Sequence, residues 1–125
     1  VSNSEIREAL KKAHIFAYPC IWPETSCIAA IEALSARCLV VCPSYAALPE
    51  TTGRFALEYD FTSNVDEMMT DFMHRLTWAI ENLQTNLVQT NLYEQKLYTD
   101  FKYNWTTRAL EWEQMLQTIK RKWKS

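Results

Sequence analysis

The stretch Cys38–Pro43 reads CLVVCP, an apolar run of small and β-branched side chains that ends at a proline. A short apolar run closed by a turn residue is typical of a strand buried on both faces of a sheet. Ile15–Tyr18, which reads IFAY, has the same character, and Pro19 stops it. Two such runs close together in the chain predict neighbouring strands of one buried sheet.

Helical segments are predicted around these two runs. Ser4–Ala13 opens with a serine cap and an early glutamate and ends in lysines, which suits a helix and its dipole. Thr25 and Ser26 are suited to cap a second helix through Ile28–Leu34, and Phe55–Phe61 is predicted to be a third strand. Strands that alternate with helices predict an α/β fold with a short parallel sheet covered on both faces.

The second half of the chain has a different, helical pattern. Its apolar residues recur three and four positions apart in three groups: Val65, Met68, Phe72, Leu76, Ile80 and Leu83; then Leu92, Leu97 and Phe101; then Trp105, Ala109, Trp112, Leu116, Ile119 and Trp123. We expect the last stripe to pack against the body of the domain, with a partner helix as the alternative. The sequence thus predicts one domain over residues 1–125, with an α/β part in 1–62 and a helical part in 63–125.

Bulk composition excludes several classes of function. The chain has 125 residues and a formal net charge of −2 with both signs scattered, so we expect one domain and no nucleic-acid partner. No apolar run approaches the roughly 20 residues that span a bilayer. The N-terminal VSNS also lacks the charged and apolar parts of a leader peptide. These observations predict a soluble cytoplasmic protein.

The common cofactor and metal motifs are missing from the sequence. A single glycine allows neither a P-loop nor a glycine-rich dinucleotide fingerprint, so any nucleotide must be held in another way. The cysteines lack the spacing of a zinc site, and we expect them to be small buried hydrophobes: Cys20, Cys27, Cys38 and Cys42. We therefore expect no metal and no cofactor.

Two glutamates around the start of the second helix are the candidate binding residues. Glu24 precedes the predicted helix and Glu32 lies two turns inside it, so both are placed to line one cleft at the carboxyl edge of the sheet. The first amides of the helix, on Thr25, Ser26, Cys27 and Ile28, suit a diphosphate, and a carboxylate such as Glu32 suits the hydroxyls of a ribose. By spacing alone, a capping Glu24 and a solvated Glu32 remain the alternative.

Several segments together resemble glycosyltransferase family 4, in order and in spacing. They are Ala13–Pro19, the pair Glu24 and Glu32 within Pro23–Leu34, Val40–Val41, Leu48–Glu50 and, more loosely, Tyr103–Trp105. The resemblance is good over about residues 5–62 and loose over the helical remainder. It implies a partial Rossmann-like fold, equivalent to the C-terminal, donor-binding domain of a two-domain (GT-B) glycosyltransferase.

What the resemblance implies about chemistry concerns the same residues. The donor is a nucleotide-diphosphate sugar, no metal is required, and a hexose is transferred to a saccharide or glycan acceptor with retention of its anomeric configuration. Glu24 becomes the catalytic residue that contacts hydroxyls of the transferred sugar, and Glu32 binds the ribose. The amides of Thr25, Ser26, Cys27 and Ile28 meet the sugar and the diphosphate.

The chain also departs from the pattern of that family. The family has glycines in the loop after the first glutamate, before the second strand and before Leu-Pro-Glu. This chain has Thr25, Cys27, Arg37, Ala46 and Ala47 at those positions, and Leu39 where a proline opens the second strand. Because only glycine allows the closest approach of backbone to ligand, these departures predict weakened donor binding.

The resemblance further implies partners for the chain. Basic residues for the diphosphate and an N-terminal acceptor domain are expected outside this sequence, which predicts that the isolated chain is inactive. The alternative is a non-catalytic module that keeps the fold and forms a homo-oligomer through its helical half or exposed sheet edges. We interpret the basic run Lys120–Lys124 as helix-end cations, with contact to a membrane surface as the alternative.

Overall fold

A computed structural model describes residues 2–124 of the chain. The elements follow in the order α1 (Asn3–Lys12), β1 (Ile15–Ala17), α2 (Ile28–Ser35), β2 (Leu39–Ser44), α3 (Leu48–Thr51), β3 (Leu57–Asp60), α4 (Val65–Asn82), α5 (Asn86–Lys102) and α6 (Trp105–Lys124). The strands form one parallel sheet in the order β1-β2-β3. The predicted α/β class, the short parallel sheet and the helical second half are therefore confirmed, and the arrangement is compatible with part of a Rossmann-like fold.

Strand β2 is the centre of the sheet and separates two apolar clusters. Val40 and Cys42 point into a cluster with residues of α1, α2 and α3. Leu39 and Val41 point to the opposite face and pack with residues of α4 and α5. All four side chains are buried, as expected of a parallel strand covered on both faces.

Pro43 lies inside β2 and does not end it, which corrects the predicted strand boundary. It pairs in register with Tyr59 of β3, whereas the pairing of β2 with β1 stops at Val41, whose carbonyl accepts the Tyr18 amide at 2.8 Å. Residues two apart in a strand present their backbone groups to the same side. The N–H group that Pro43 lacks would therefore point to where β1 has already ended, so no ladder hydrogen bond is lost.

Helix α1 begins earlier than its sequence suggested. Ser2, not Ser4, is the N-cap: its hydroxyl accepts the Glu5 amide at 3.3 Å, and the Glu5 carboxylate accepts the Ser2 amide at 2.7 Å. This reciprocal pair is a capping box, and it satisfies two backbone donors at the start of the helix.

Helix α5 is buried through a stripe that ends in polar residues. Val88, Leu92, Gln95 and Thr99 face inward, whereas the predicted apolar positions Leu97 and Phe101 are 54% and 71% exposed. The Gln95 amide nitrogen donates to the Leu34 carbonyl at 3.1 Å and to the Cys38 carbonyl at 2.9 Å. An apolar side chain at this position would leave both carbonyls of the α2–β2 turn without these donors, so Gln95 holds α5 in place.

Helix α6 extends away from the body of the domain, which contradicts the expectation that its apolar stripe packs inward. Trp105, Trp112 and Trp123 are 89%, 62% and 88% exposed. Arg108 fixes the start of the helix by donating two guanidinium N–H groups to the Lys102 carbonyl at the end of α5. The residues described here provide no apolar face opposite the stripe.

We expect Gly53→Ala to lower the free energy of unfolding by about 2–4 kcal/mol. Gly53 has φ +58°, and a Cβ at this position would come within 2.5 Å of the Tyr98 ring. Urea unfolding monitored by circular dichroism measures the change. In a Tyr98→Ala background the same substitution should cost only about 1 kcal/mol, because the clash is gone and the left-handed backbone remains. Equal costs in the two backgrounds would contradict the steric explanation.

Candidate functional site

The carboxyl ends of the three strands are tied together at one edge of the sheet. Tyr45 follows β2 and stacks on Phe61, which follows β3, with ring centroids 3.7 Å apart. The loop between β1 and α2 is joined to the turn after β2 by the Ala47 amide, which donates to the Glu24 carbonyl at 3.2 Å. The stacked rings and this hydrogen bond therefore hold the loops at this edge of the sheet in one arrangement.

Glu24 is half-buried in the loop between β1 and α2, where the sequence placed it. Its Oε1 accepts a hydrogen bond of 2.7 Å from the Tyr18 hydroxyl. The bond to this carboxylate, together with burial, raises the pKa of Tyr18 well above its usual value. Tyr18 thus orients Glu24. The sequence did not predict this role, and its only signal was an aromatic residue at the end of the strand.

Helix α2 begins at Ile28, three residues later than the predicted start at Thr25. Thr25 and Ser26 are exposed loop residues and do not cap it; the N-cap is Cys27, with φ 60° and no side-chain hydrogen bond to the helix. Within residues 2–124, the amides of Thr25, Ser26, Cys27 and Ile28 donate to no acceptor. Of these four amides, only those of the N-cap Cys27 and of Ile28 lie at the helix start, where an unpaired amide favours an anion.

Glu32 has a different environment from Glu24. Its Oε1 forms a salt bridge of 3.1 Å with Arg7 of α1, a partner that no sequence motif indicated. No hydrogen bond of the described residues joins the two glutamates, and Glu24 is not among the lining residues of the cavity beside Glu32. The structure therefore gives Glu24 and the α2 amides a common edge, while the predicted ribose role of Glu32 stays a prediction.

A cavity of about 580 Å³ lies beside Glu32, between α1, α2 and α5. Arg7, Arg37 and Lys96 are among its basic lining residues, and Asp100 is the second acidic one. Burial raises the pKa of Asp100, but hydrogen bonds from Lys96 and Ser35 and the Lys96 charge outweigh it, so that the pKa lies below its usual value. Four basic side chains of the lining, Arg7, Lys11, Arg37 and Lys96, outnumber its two acidic ones, so the cavity has an excess of positive charge although Arg7 is paired with Glu32 and Lys96 with Asp100.

Three of the positions where the resemblance expects glycine have a left-handed backbone in this chain. Cys27, Arg37 and Ala46 have φ of 60°, 65° and 50°. Glycine adopts this conformation at no steric cost, whereas other residues are strained in it. The turns that a glycine pattern implies are therefore present here without the glycines. Thr25 and Ala47, the other two substituted positions, lack this conformation.

The cysteines are free thiols. Cys27, Cys38 and Cys42 are buried as predicted, and burial raises the pKa of Cys38 and brings that of Cys42 to about 12. Cys20 departs from the prediction: it is only half-buried, and its Sγ accepts the Trp22 amide at 3.3 Å in the Glu24 loop. In the part of the chain that the structure describes, no three His, Cys, Asp or Glu side chains are grouped to hold a metal ion.

No protein-family model, curated protein or solved structure matches the chain.

We expect Ala46→Gly to raise the free energy of unfolding by about 0.5–1 kcal/mol, because it removes left-handed strain. The neighbouring Ala47 is a matched control, since its φ is −81° and a glycine there only adds entropy to the unfolded chain. Ala47→Gly should therefore lower the free energy of unfolding by a similar amount. Urea titrations that shift both variants in the same direction would contradict this explanation.

Proposed function

We propose that the chain is the donor-binding part of a retaining hexosyltransferase of the two-domain (GT-B) type. Its donor is a nucleotide-diphosphate sugar and its acceptor a saccharide or glycan. In the reaction, the bond between the anomeric carbon and the diphosphate oxygen breaks, and a bond from that carbon to an acceptor hydroxyl oxygen forms. The leaving diphosphate oxygen takes the electron pair of the broken bond and the proton that the acceptor hydroxyl gives up.

The observation that carries this proposal is the juxtaposition of Glu24 with the start of α2. Four consecutive amides without a partner among the described residues, on residues 25–28, follow Glu24 in the chain at the carboxyl edge of a parallel sheet. Amides and the positive end of the helix dipole stabilise a diphosphate as it gains charge on leaving. Because Tyr18 engages only Oε1 of Glu24, Oε2 is available to a sugar hydroxyl.

The left-handed positions add support for the proposal. Cys27 is the residue immediately before α2, and its φ of 60° turns the chain into the helix. Ala46 has φ 50° and lies in the turn after β2. The amide of the next residue, Ala47, donates to the Glu24 carbonyl. The left-handed backbone at these two positions agrees with the glycines that the family has there. The Cys27 and Ala46 side chains, however, leave less room for a ligand than glycine would.

A second candidate is a non-catalytic module that self-associates. It is favoured by the Arg7–Glu32 salt bridge, which engages Oε1 of the carboxylate expected to bind the ribose. The unpaired outer edges of β1 and β3 also offer backbone groups to another chain. Nucleotide binding separates the two candidates.

We expect titration calorimetry with uridine, guanosine and adenosine diphosphates to detect binding of at least one of them, and none of the corresponding nucleosides. Ile28→Glu should weaken the binding at least roughly tenfold, because a carboxylate at the exposed start of α2 repels the diphosphate. The helix itself tolerates an acidic residue in its first turn. Ile80→Glu, which changes an equally exposed isoleucine of α4, is the matched control and should leave the affinity unchanged.

The ribose role of Glu32 is tested in the same titration. Loss of its two hydrogen bonds in Glu32→Ala should weaken diphosphate binding about 10- to 100-fold, the usual effect of losing a charge-assisted pair. Glu67→Ala, an exposed glutamate of α4, serves as the control. Equal binding by Glu32→Ala and the parent would remove the ribose role, and no binding of any diphosphate would remove the proposed function.

We expect the purified chain alone to transfer no sugar at a measurable rate from any nucleotide sugar to a saccharide acceptor. The resemblance places the basic groups for the diphosphate and the acceptor domain outside this sequence, so that binding and turnover should be separable. Release of the nucleoside diphosphate is measured with and without acceptor. Acceptor-dependent release by the chain alone would contradict this expectation.

A further inference from the structure

Helix α6 carries a continuous apolar stripe that no other described part of the chain covers. The α6 stripe consists of Trp105, Ala109, Trp112, Leu116, Ile119 and Trp123, which alternate at spacings of four and three residues along one side of the helix. All six are exposed. Three of the five tryptophans of the chain are among them. An exposed, continuous apolar surface that contains three tryptophans normally marks an interaction site.

The positive charge of the chain is concentrated on the same helix. Helix α6 has five Lys and Arg against two Glu, whereas the chain as a whole has 13 against 15. Lys120 and Lys122 lie on either side of the α6 stripe in its C-terminal turns, with Arg121 between them in sequence. The apolar surface is thus bordered by cations, and its natural counterpart is apolar and anionic.

The geometry of α6 suits a position parallel to a membrane surface. Its 20 residues extend for about 30 Å. Among residues 2–124 no helix is long and apolar enough to cross a membrane. Tryptophan prefers the boundary between headgroups and acyl chains, where its ring is buried and its N–H group remains hydrated. An amphipathic helix with tryptophans on one side and lysines at the borders is typical of in-plane binding.

A second copy of the chain fits the α6 stripe less well. Parallel pairing places the basic turns at Lys120–Lys122 of both copies side by side. Antiparallel pairing that aligns the stripes brings Glu113 beside Glu113 and Arg108 beside Lys122 of the other copy, which are again like charges. Three tryptophans in six seam positions are also unlike the branched aliphatic residues that pack well in paired helices.

We propose that α6 binds in the plane of an anionic membrane surface, with the α6 stripe inserted at the headgroup boundary and the bordering lysine side chains on lipid phosphates. The proposal does not depend on nucleotide binding. Helix α6 is held to α5 through Arg108 and begins at the Asn104 cap, whose side chain accepts the Thr106 amide at 2.8 Å. Membrane binding would therefore anchor the domain without disturbing its core.

The test is co-sedimentation of the full chain with vesicles of phosphatidylcholine alone and of equal parts phosphatidylcholine and phosphatidylglycerol. Tryptophan emission is recorded on the same samples. We expect binding to the anionic vesicles, with emission shifted to shorter wavelength and affinity that falls with salt. Little binding to the neutral vesicles is expected, since the electrostatic contribution is then lost.

Paired variants separate the apolar and the electrostatic contributions. Trp112→Ala should weaken vesicle binding roughly tenfold, whereas Trp22→Ala, which removes a similarly exposed tryptophan of the Glu24 loop, should not. Lys120→Gln should weaken binding to anionic vesicles about fivefold. Lys12→Gln, the same loss of charge on α1, is the control and should have little effect.

Folding is checked by urea unfolding, which the α6 variants should leave unchanged because α6 contributes little to the two apolar clusters. Absence of binding to anionic vesicles would overturn the proposal. Binding that all four variants reduce equally would also overturn it, since the site would then not be α6. A dimer in sedimentation equilibrium that Trp112→Ala dissociates would assign the α6 stripe to a second copy instead.

Discussion

Burial of β2 on both faces is the constraint on which the rest of the structure depends. Its side chains alternate between two apolar clusters, so α1 and α2 must cover one face and α4 with the start of α5 the other. A parallel strand needs a crossover connection to each neighbour. Those connections place the loop after β1 and the turn after β2 at the same carboxyl edge. The candidate site is thus a consequence of how the central strand is buried.

A few polar contacts fix what apolar packing leaves undetermined. Gln95 ties α5 to the turn between α2 and β2 through two backbone carbonyls, and it is completely buried. Tyr18 holds Glu24 in the loop, and Arg108 holds α6 at the end of α5. Each of these side chains donates to an oxygen of another segment, so each specifies one arrangement of two segments.

The two glutamates of the proposed donor site lie in different surroundings. Glu24 and the amides of residues 25–28 share one edge, and the left-handed Cys27 and Ala46 shape it. Glu32 faces α1 and is paired with Arg7. Donor binding through both glutamates therefore requires that the ribose competes with the Arg7 salt bridge, in which Arg7 is 65% and Glu32 26% exposed. The exposed α6 stripe, in contrast, is available without rearrangement.

By itself, the sequence determined the strands, the parallel sheet and the helical second half, because apolar runs such as CLVVCP and the three-and-four spacing depend only on local periodicity. It also located Glu24 before α2. Only the tertiary structure decided that Pro43 continues β2, since this depends on where the neighbouring strand ends. The same holds for the burial of Gln95 in place of Leu97, for the pairing of Glu32 with Arg7 and for the exposure of α6. Each depends on which distant segment lies opposite, and periodicity carries no information about that.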